Sequence, residues 1–217
     1  MSATPMLKRL FGAALQRVVL PLGAVIGRAG VTPNMITVTG FVLTVLAAVV
    51  VSEGRFLLGG LILTGGSLLD MLDGAVARAT GKGSKAGAFL DSTLDRLSDA
   101  VVFVGLIWWF THGFDWALAP TDAAEVFEPS MTNQLGAGLA LAGLILSLMV
   151  SYVRARAEGL GFTCNVGIAE RPERIFLVAG GLILDVVIPA LVILVAVTAI
   201  TVVQRFLYVW RQAKVPL

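Results

Sequence analysis

Apolar residues in this chain come in long runs, with polar residues gathered between them. The runs are Met35 to Val51, Leu57 to Leu72, Ala100 to Phe110 with the preceding turns from Asp91, Leu135 to Val153, Ile175 to Ile188, and Pro189 to about Val203. A hydrocarbon core about 30 Å thick takes roughly 20 apolar residues at 1.5 Å per residue. The pattern therefore predicts an all-α integral membrane protein with six transmembrane helices. The second and fifth runs are short, and the second and third carry carboxylates at one end, which blurs their boundaries.

Ahead of the first run the spacing changes. Leu7, Leu10, Phe11, Ala14, Leu15 and Val18 recur at intervals of three and four within Met6 to Val19, with Lys8, Arg9 and Arg17 elsewhere around the turn. This predicts an N-terminal amphipathic helix lying on the cytoplasmic interface. No apolar stretch with a small-residue cleavage site marks it as a signal peptide. Glycines inside the runs, such as Gly59, Gly60, Gly65, Gly66, Gly136 and Gly138, predict close helix packing. No repeat or polar domain interrupts the pattern, so residues 1–217 read as one membrane domain.

Composition agrees. Only 14% of residues are charged and 57% are hydrophobic, against about 25% charged in soluble domains. The net charge of +2 argues against a nucleic-acid partner, and the lone Cys164 excludes an internal disulfide or a cysteine metal cage; it reads as a small buried or interfacial residue. Charge placement gives the orientation. Between Arg96 and Arg154 there is no Lys or Arg, and the connection after the third run holds Asp115, Asp122, Glu125 and Glu128. Cations cluster on the other side, at Arg28, Arg78, Lys82, Lys85, Arg154, Arg156, Arg171, Arg174, Arg211 and Lys214. Both termini are expected in the cytoplasm of a multi-pass protein of the cell membrane.

Four acids stand where a bilayer disfavours them. Asp70 and Asp73 lie three apart at the end of the second run, and Asp91 and Asp95 four apart at the start of the third, so each pair shares a helix face. An unpaired ionised residue costs about 2.5–3.5 kcal/mol at the membrane centre, and Arg78 and Arg96 offset two at most. They can cap helices and pair with loop cations. Four in register, without sulfur or imidazole, instead fit a hard cation, Mg²⁺ or Mn²⁺, with bridging carboxylates able to share two ions. Gly74, Ala77 and Gly87 beside them leave room for a bulky diphosphate substrate.

Asp70, Asp73-Gly74, Ala77-Arg78, Gly87, Asp91 and Asp95, at these separations, fill every fixed position of the signature of the CDP-alcohol phosphotransferases, and the chain resembles that family over nearly its whole length. The resemblance implies an enzyme that joins a CDP-linked lipid to an acceptor hydroxyl and releases CMP. It implies Asp70, Asp73 and Asp91 as metal ligands, with Asp95 either a further ligand or the general base. It implies that Asp70, Gly74, Arg78 and Ser84 meet the CDP-lipid and that Pro33, Asn34, Met35 and Ile36 line the cytidine pocket. Asn34 reads equally well as a helix cap.

A second cationic group bears on the acceptor. Ser151-Tyr152-Val153-Arg154-Ala155-Arg156, Glu170-Arg171-Pro172-Glu173-Arg174 and Arg205 are similar to the runs that hold the acceptor phosphate in the phosphatidylinositol-phosphate synthase branch of the family. On that resemblance Ser151, Arg154, Arg156, Arg174 and Arg205 bind 1D-myo-inositol 3-phosphate, and guanidinium forks suit phosphate. CDP-diacylglycerol and inositol phosphate would give phosphatidylinositol phosphate and CMP, in a homodimer. Arg154 is lysine and Asn34 aspartate in some relatives. Glycerol 3-phosphate, the acceptor of phosphatidylglycerophosphate synthases, is the nearest rival. An ion or metal transporter is the rival outside enzymes, with Asp99 and Asp185 as its further intramembrane acids. His112 reads as an exposed interface residue, the tryptophans as interfacial belts, and Glu158, Glu170 and Glu173 as partners of nearby arginines.

Overall fold

Three helix starts, those of the segments opening at Pro33, Lys85 and Met131, carry a side-chain cap. Thr32 Oγ1 accepts the N–H of Met35 at 3.3 Å and opens the first helix, with Pro33 just inside, where a missing N–H costs nothing. Ser84 Oγ accepts the N–H of Gly87 at 2.9 Å, and Ser130 Oγ that of Asn133 at 3.2 Å. The structure is a computed structural model and describes residue 21 and residues 25–27, 30–81, 83–112 and 130–214. Its helices are α1 (Pro33–Ser52), α2 (Phe56–Thr80), α3 (Lys85–His112), α4 (Met131–Gly159), α5 (Arg171–Ile183) and α6 (Val187–Ala213); no strand occurs among the described residues. The expected interfacial helix at residues 6–19, Arg28, Lys82, and the acidic loop with Asp115, Asp122, Glu125 and Glu128 lie outside the described residues.

Four helices, α1, α2, α4 and α6, are long and apolar enough to cross a membrane. The other two of the six expected spans fall short of that measure. The first half of α3 carries Lys85, Asp91, Asp95, Arg96 and Asp99, and α5 has 13 residues, about 20 Å at 1.5 Å each. Several ends differ from the hydropathy runs. α2 continues past Leu72 through both aspartates to Thr80, and α6 continues past Val203 to Ala213; polar residues keep a helix going once it leaves the apolar layer. α5 stops at Ile183 rather than Ile188. The chain turns at Asp185 (φ 54°), with Val186 N–H on Gly181 O at 2.8 Å. Pro189 sits in the first turn of α6, where no intrahelical acceptor is needed.

The described chain forms two compact units. One comprises residues up to Leu43 with Gly65–Leu97. In it α1 meets α2 at Gly40, where a methyl group would strike the carboxylate of Asp70 and stand 3.3 Å from Gly66 O.

The other comprises Thr44–Thr64 and Ser98–Leu217. Ala47, Val51, Leu63, Val102, Phe103, Leu106, Leu182, Leu191 and Leu194 lie in its core, and α4 and α5 both pack on α6. Lipid is as apolar as these side chains, so van der Waals fit carries the packing. At Gly105 the backbone of Ala48 leaves no space for a Cβ, and at Gly60 a Cβ would lie 3.1 Å from Ala179 O. Gly59 and Gly136 are similarly confined, but Gly65 and Gly138 face open space, so not every intraspan glycine marks a packing contact. Large exposed residues such as Leu46, Val49, Ile193 and Ile200 form the lipid-facing side. Exposed His112 stacks on Trp108, ring centroids 4.0 Å apart.

Candidate active site

In the first unit the starts of α1 and α3 and the end of α2 enclose a cavity of about 190 Å³. Pro33, Asn34 and Thr37 line it from α1, Asp73, Gly74 and Ala77 from α2, Gly83 and Ser84 from the turn, and Gly87, Ala88 and Asp91 from α3. Helical spacing selects them: positions 33, 34 and 37 share one face of α1. Met35 and Ile36, also expected here, do not line it. Met35 is 56% exposed and Ile36 is buried elsewhere, because neighbours in a helix point about 100° apart. Thr37 was not expected, although it lies one turn beyond Pro33. Its hydroxyl donates to Asp73 Oδ2 at 2.7 Å, with both groups buried.

Asn34 occupies the second position of α1, and Thr32 caps the helix, so the cap alternative for Asn34 falls away. Its Oδ1 lies 3.0 Å from where a Cβ on Gly87 would stand, so a side chain there would press on Asn34. Ser84 caps α3 and lines the cavity at once. Arg78 folds back along its own helix, with Nη1 3.3 Å from the position of a Cβ on Gly74. Asp70 lies over Gly40, outside the cavity lining. Arg96 donates through Nη1 to Ser92 O of its own helix.

Among the described residues no three acids, imidazoles or thiols are gathered into a metal cage. The donor set nevertheless fits a hard divalent cation. Asp73 and Asp91 present carboxylates to one cavity beside a threonine hydroxyl, with no imidazole or thiol in the lining.

In the second unit the arginines are set firmly. Arg205, 3% exposed, donates through Nη1 to Val150 O at 2.6 Å and through Nε to Val166 O at 2.9 Å. Arg174, 4% exposed, donates through Nη2 to Asp99 Oδ2 at 2.7 Å and through Nη1 to Ala169 O at 3.2 Å. Both Arg154 and Arg174 lie within electrostatic reach of Arg205, Arg154 from a partly exposed position. Arg154 is held by Glu158 at 2.8 Å. Arg156 is exposed at the surface, and Ser151, half-buried, follows Val150, whose carbonyl Arg205 occupies. Glu173 departs from the pairing expected for it: its buried Oε2 has no hydrogen-bond partner among the described residues. Asp99 was not expected here at all.

The segment between α4 and α5 is laced along α6. Thr163 Oγ1 donates to Gln212 Oε1 at 3.2 Å, and Gln212 Nε2 to Thr163 O at 2.8 Å. Val166 O meets Arg205, and the N–H of Ala169 donates to Thr201 Oγ1 at 3.1 Å. Gly167 (φ 127°) passes so close that a Cβ would lie 3.2 Å from Arg205 Nε, a position only glycine fills. Cys164, within this segment, is buried, and burial pushes its thiol pKa up from the ordinary value.

The family model for CDP-alcohol phosphatidyltransferases matches residues 30–204. The archaetidylinositol phosphate synthase of Methanothermobacter thermautotrophicus is 35% identical over 216 residues, 97% of this chain and 93% of that protein. The phosphatidylinositol phosphate synthase of Mycobacterium marinum is 37% identical over 220 residues, 97% of this chain and 86% of that protein. Among solved structures, the phosphatidylinositol phosphate synthase of Mycobacterium tuberculosis with CDP-DAG bound aligns with a TM-score of 0.74 at 33% identity, covering 89% of this chain and 94% of that one. The same enzyme in complex with manganese and citrate aligns with a TM-score of 0.75 at 32% identity, covering 89% of each chain. With Asp73, Gly74, Ala77, Gly87 and Asp91 of the signature lining one cavity and the match running from residue 30 to residue 204, within α6, the chain belongs to the CDP-alcohol phosphatidyltransferase family and is a multi-pass membrane enzyme of that class.

Proposed function

We propose that the protein transfers the phosphatidyl group of CDP-diacylglycerol to 1D-myo-inositol 3-phosphate, forming phosphatidylinositol phosphate and CMP. The observation that carries this reading is the burial of Arg174 and Arg205 beside Arg154. Two buried guanidinium groups with a partly exposed third in electrostatic reach suit a phosphorylated acceptor, and relatives named for inositol phosphate products match along nearly the whole chain.

Pro33, Asn34, Gly74 and Ser84 hold the nucleotide, and Arg78 reaches a diphosphate oxygen. Asp70, Asp73, Asp91 and Asp95 hold one or two divalent ions, Mg²⁺ or Mn²⁺, in keeping with the manganese in a related structure. A bound divalent ion supplies charge stabilisation to entering and leaving oxygens. Thr37 fixes Asp73 in the orientation that faces the cavity. The acceptor hydroxyl attacks the lipid-linked phosphorus, its proton passes to the Asp95 carboxylate, and the bond from that phosphorus to the CMP oxygen breaks. Arg154, Arg156, Arg174, Arg205 and Ser151 hold the acceptor's own phosphate.

Both units serve one catalytic domain spanning residues 1–217. The remaining helices complete six spans, the N-terminal segment lies on the cytoplasmic leaflet, and the cationic ends of the helices face the cytoplasm of the cell membrane. The family resemblance adds a homodimer, which mass measurement in detergent checks. The deciding experiment supplies CDP-diacylglycerol with labelled inositol 3-phosphate and, in parallel, labelled glycerol 3-phosphate. Label entering lipid from inositol phosphate, with release of CMP, is expected. Incorporation of glycerol phosphate alone assigns the acceptor to the phosphatidylglycerophosphate synthases, and ion flux without CMP release overturns the enzyme reading.

A further inference from the structure

Asp99 follows Asp95 by four residues in α3 and takes no part in the transfer just described. It is 9% exposed, and its carboxylate spans two guanidinium groups. Oδ2 accepts from Arg174 Nη2 at 2.7 Å, and Oδ1 lies 3.7 Å from Arg171 Nε. The two arginines are three residues apart in the first turn of α5, so one acid sets the facing of that turn. Arg174 is gripped from a second direction through Ala169 O, itself part of the residue tied to Thr201. Two hydrogen bonds leave a guanidinium with further N–H donors, and the Nε of Arg174 is buried without a partner among the described residues. A buried donor left unmatched is costly, and an anionic oxygen would satisfy it. One carboxylate against two guanidinium groups also leaves the group with net positive charge.

We propose that Asp99 is a positioning residue of the acceptor site, holding the Arg174 guanidinium so that its unused N–H donors stay fixed for a phosphate oxygen. The proposal rests on the phosphorylated-acceptor reading above and deepens it. A carboxylate at this place lowers the total positive charge of the site while stiffening its geometry, so its removal separates attraction from alignment. If alignment dominates, loss of Asp99 weakens phosphate binding even though the pocket becomes more positive.

The test measures binding of inorganic phosphate and of inositol 3-phosphate to the full-length, metal-free protein in detergent by calorimetry, with thermal unfolding recorded for every variant. Asp99→Asn is expected to weaken both ligands by about tenfold or more, and Asp99→Glu, which keeps the charge but displaces it, by about threefold. In an Arg174→Gln background, Asp99→Asn should have no further effect on binding, because the residue acts through Arg174. In turnover assays the acceptor KM rises and the CDP-diacylglycerol KM stays unchanged. A lower unfolding temperature with phosphate affinity unchanged makes the pair merely structural and overturns the proposal, as does tighter binding in Asp99→Asn. If Asp99→Asn does not fold, unchanged affinity in Asp99→Glu overturns it equally. Absence of phosphate binding by the unsubstituted protein overturns it too. Binding that depends on Asp99, without CMP release from CDP-diacylglycerol in the presence of any phosphorylated acceptor, upholds the proposal and refutes the proposed function.

Discussion

In the carboxylate cavity Asp73 takes a hydrogen bond from Thr37 while Asp91 faces the same space, and among the described residues no three acids are drawn into a cage. In the arginine cluster, Arg205 and Arg174 each hold main-chain carbonyls, and Arg174 also holds Asp99. The contrast follows from what each side chain can do. A carboxylate is acceptor-only, and the N–H groups of an apolar helix are already committed to its own carbonyls, so neighbouring acids repel and find few donors. Arginine carries five donors in a rigid fork, so it can hold the loop carbonyls of Val166 and Ala169 and still take a second bond to Val150 O within α4. The chain fixes its cationic site by itself, whereas the anionic site is of the kind that a cation organises.

That difference predicts opposite signatures for substitution. Asp91→Asn removes a proposed ligand and should lower CMP release on the order of 100-fold or more, with the unfolding temperature in metal-free detergent unchanged or raised as like-charge repulsion falls. A variant that unfolds early would break the contrast. Arg174→Gln separates a buried ion pair, a change that costs about 3–5 kcal/mol; denaturation should show it, and the acceptor KM should rise far more than that of the CDP-lipid. An equal rise in both would make Arg174 purely structural. Arg205→Met strands the carbonyl of Val166, with an expected loss of about 1–3 kcal/mol, while Val150 O keeps the helical N–H of α4; the loss is read as a fall in unfolding temperature.

Two smaller effects sharpen the same line. Thr37→Val deletes the hydroxyl on Asp73, and a hydrogen bond to a charged group is worth about 1.5–3 kcal/mol. Activity should fall roughly tenfold or more and regain part of the loss at high metal concentration. Cys164 has its thiol pKa raised by burial, so it stays protonated at neutral pH. Iodoacetamide should label it slowly in the folded protein and rapidly after denaturation.

Much of this was legible in the chain alone, and the omissions have physical causes. The signature acids and small residues fall at fixed short separations, so helical periodicity brings Asp73, Gly74 and Ala77 to one cavity wall. The same periodicity turns Met35 and Ile36 away, which a contiguous run of residues conceals. The ion pair between Asp99 and Arg174 joins residues 75 apart, and nothing local signals it; the four-residue step from Asp95 instead made Asp99 look like one more intramembrane acid. Helix ends were missed where hydropathy stops before the helix does. α2 and α6 both outrun their apolar stretches, because lipid contact sets hydropathy while hydrogen bonding sets helix length.

The overrun of α6 carries a consequence for how the protein can be shortened. Ending the chain at Val203 would retain nearly all of the greasy part of the last helix, so membrane insertion should survive. Such a version would lack Gln212 and Arg205, two of the three rungs along which residues 163–169 are strung. The polar tail of the final helix is the mould on which the neighbouring loop is cast, and trimming it should yield a protein that still sits in the bilayer but lacks the phosphate affinity proposed for it.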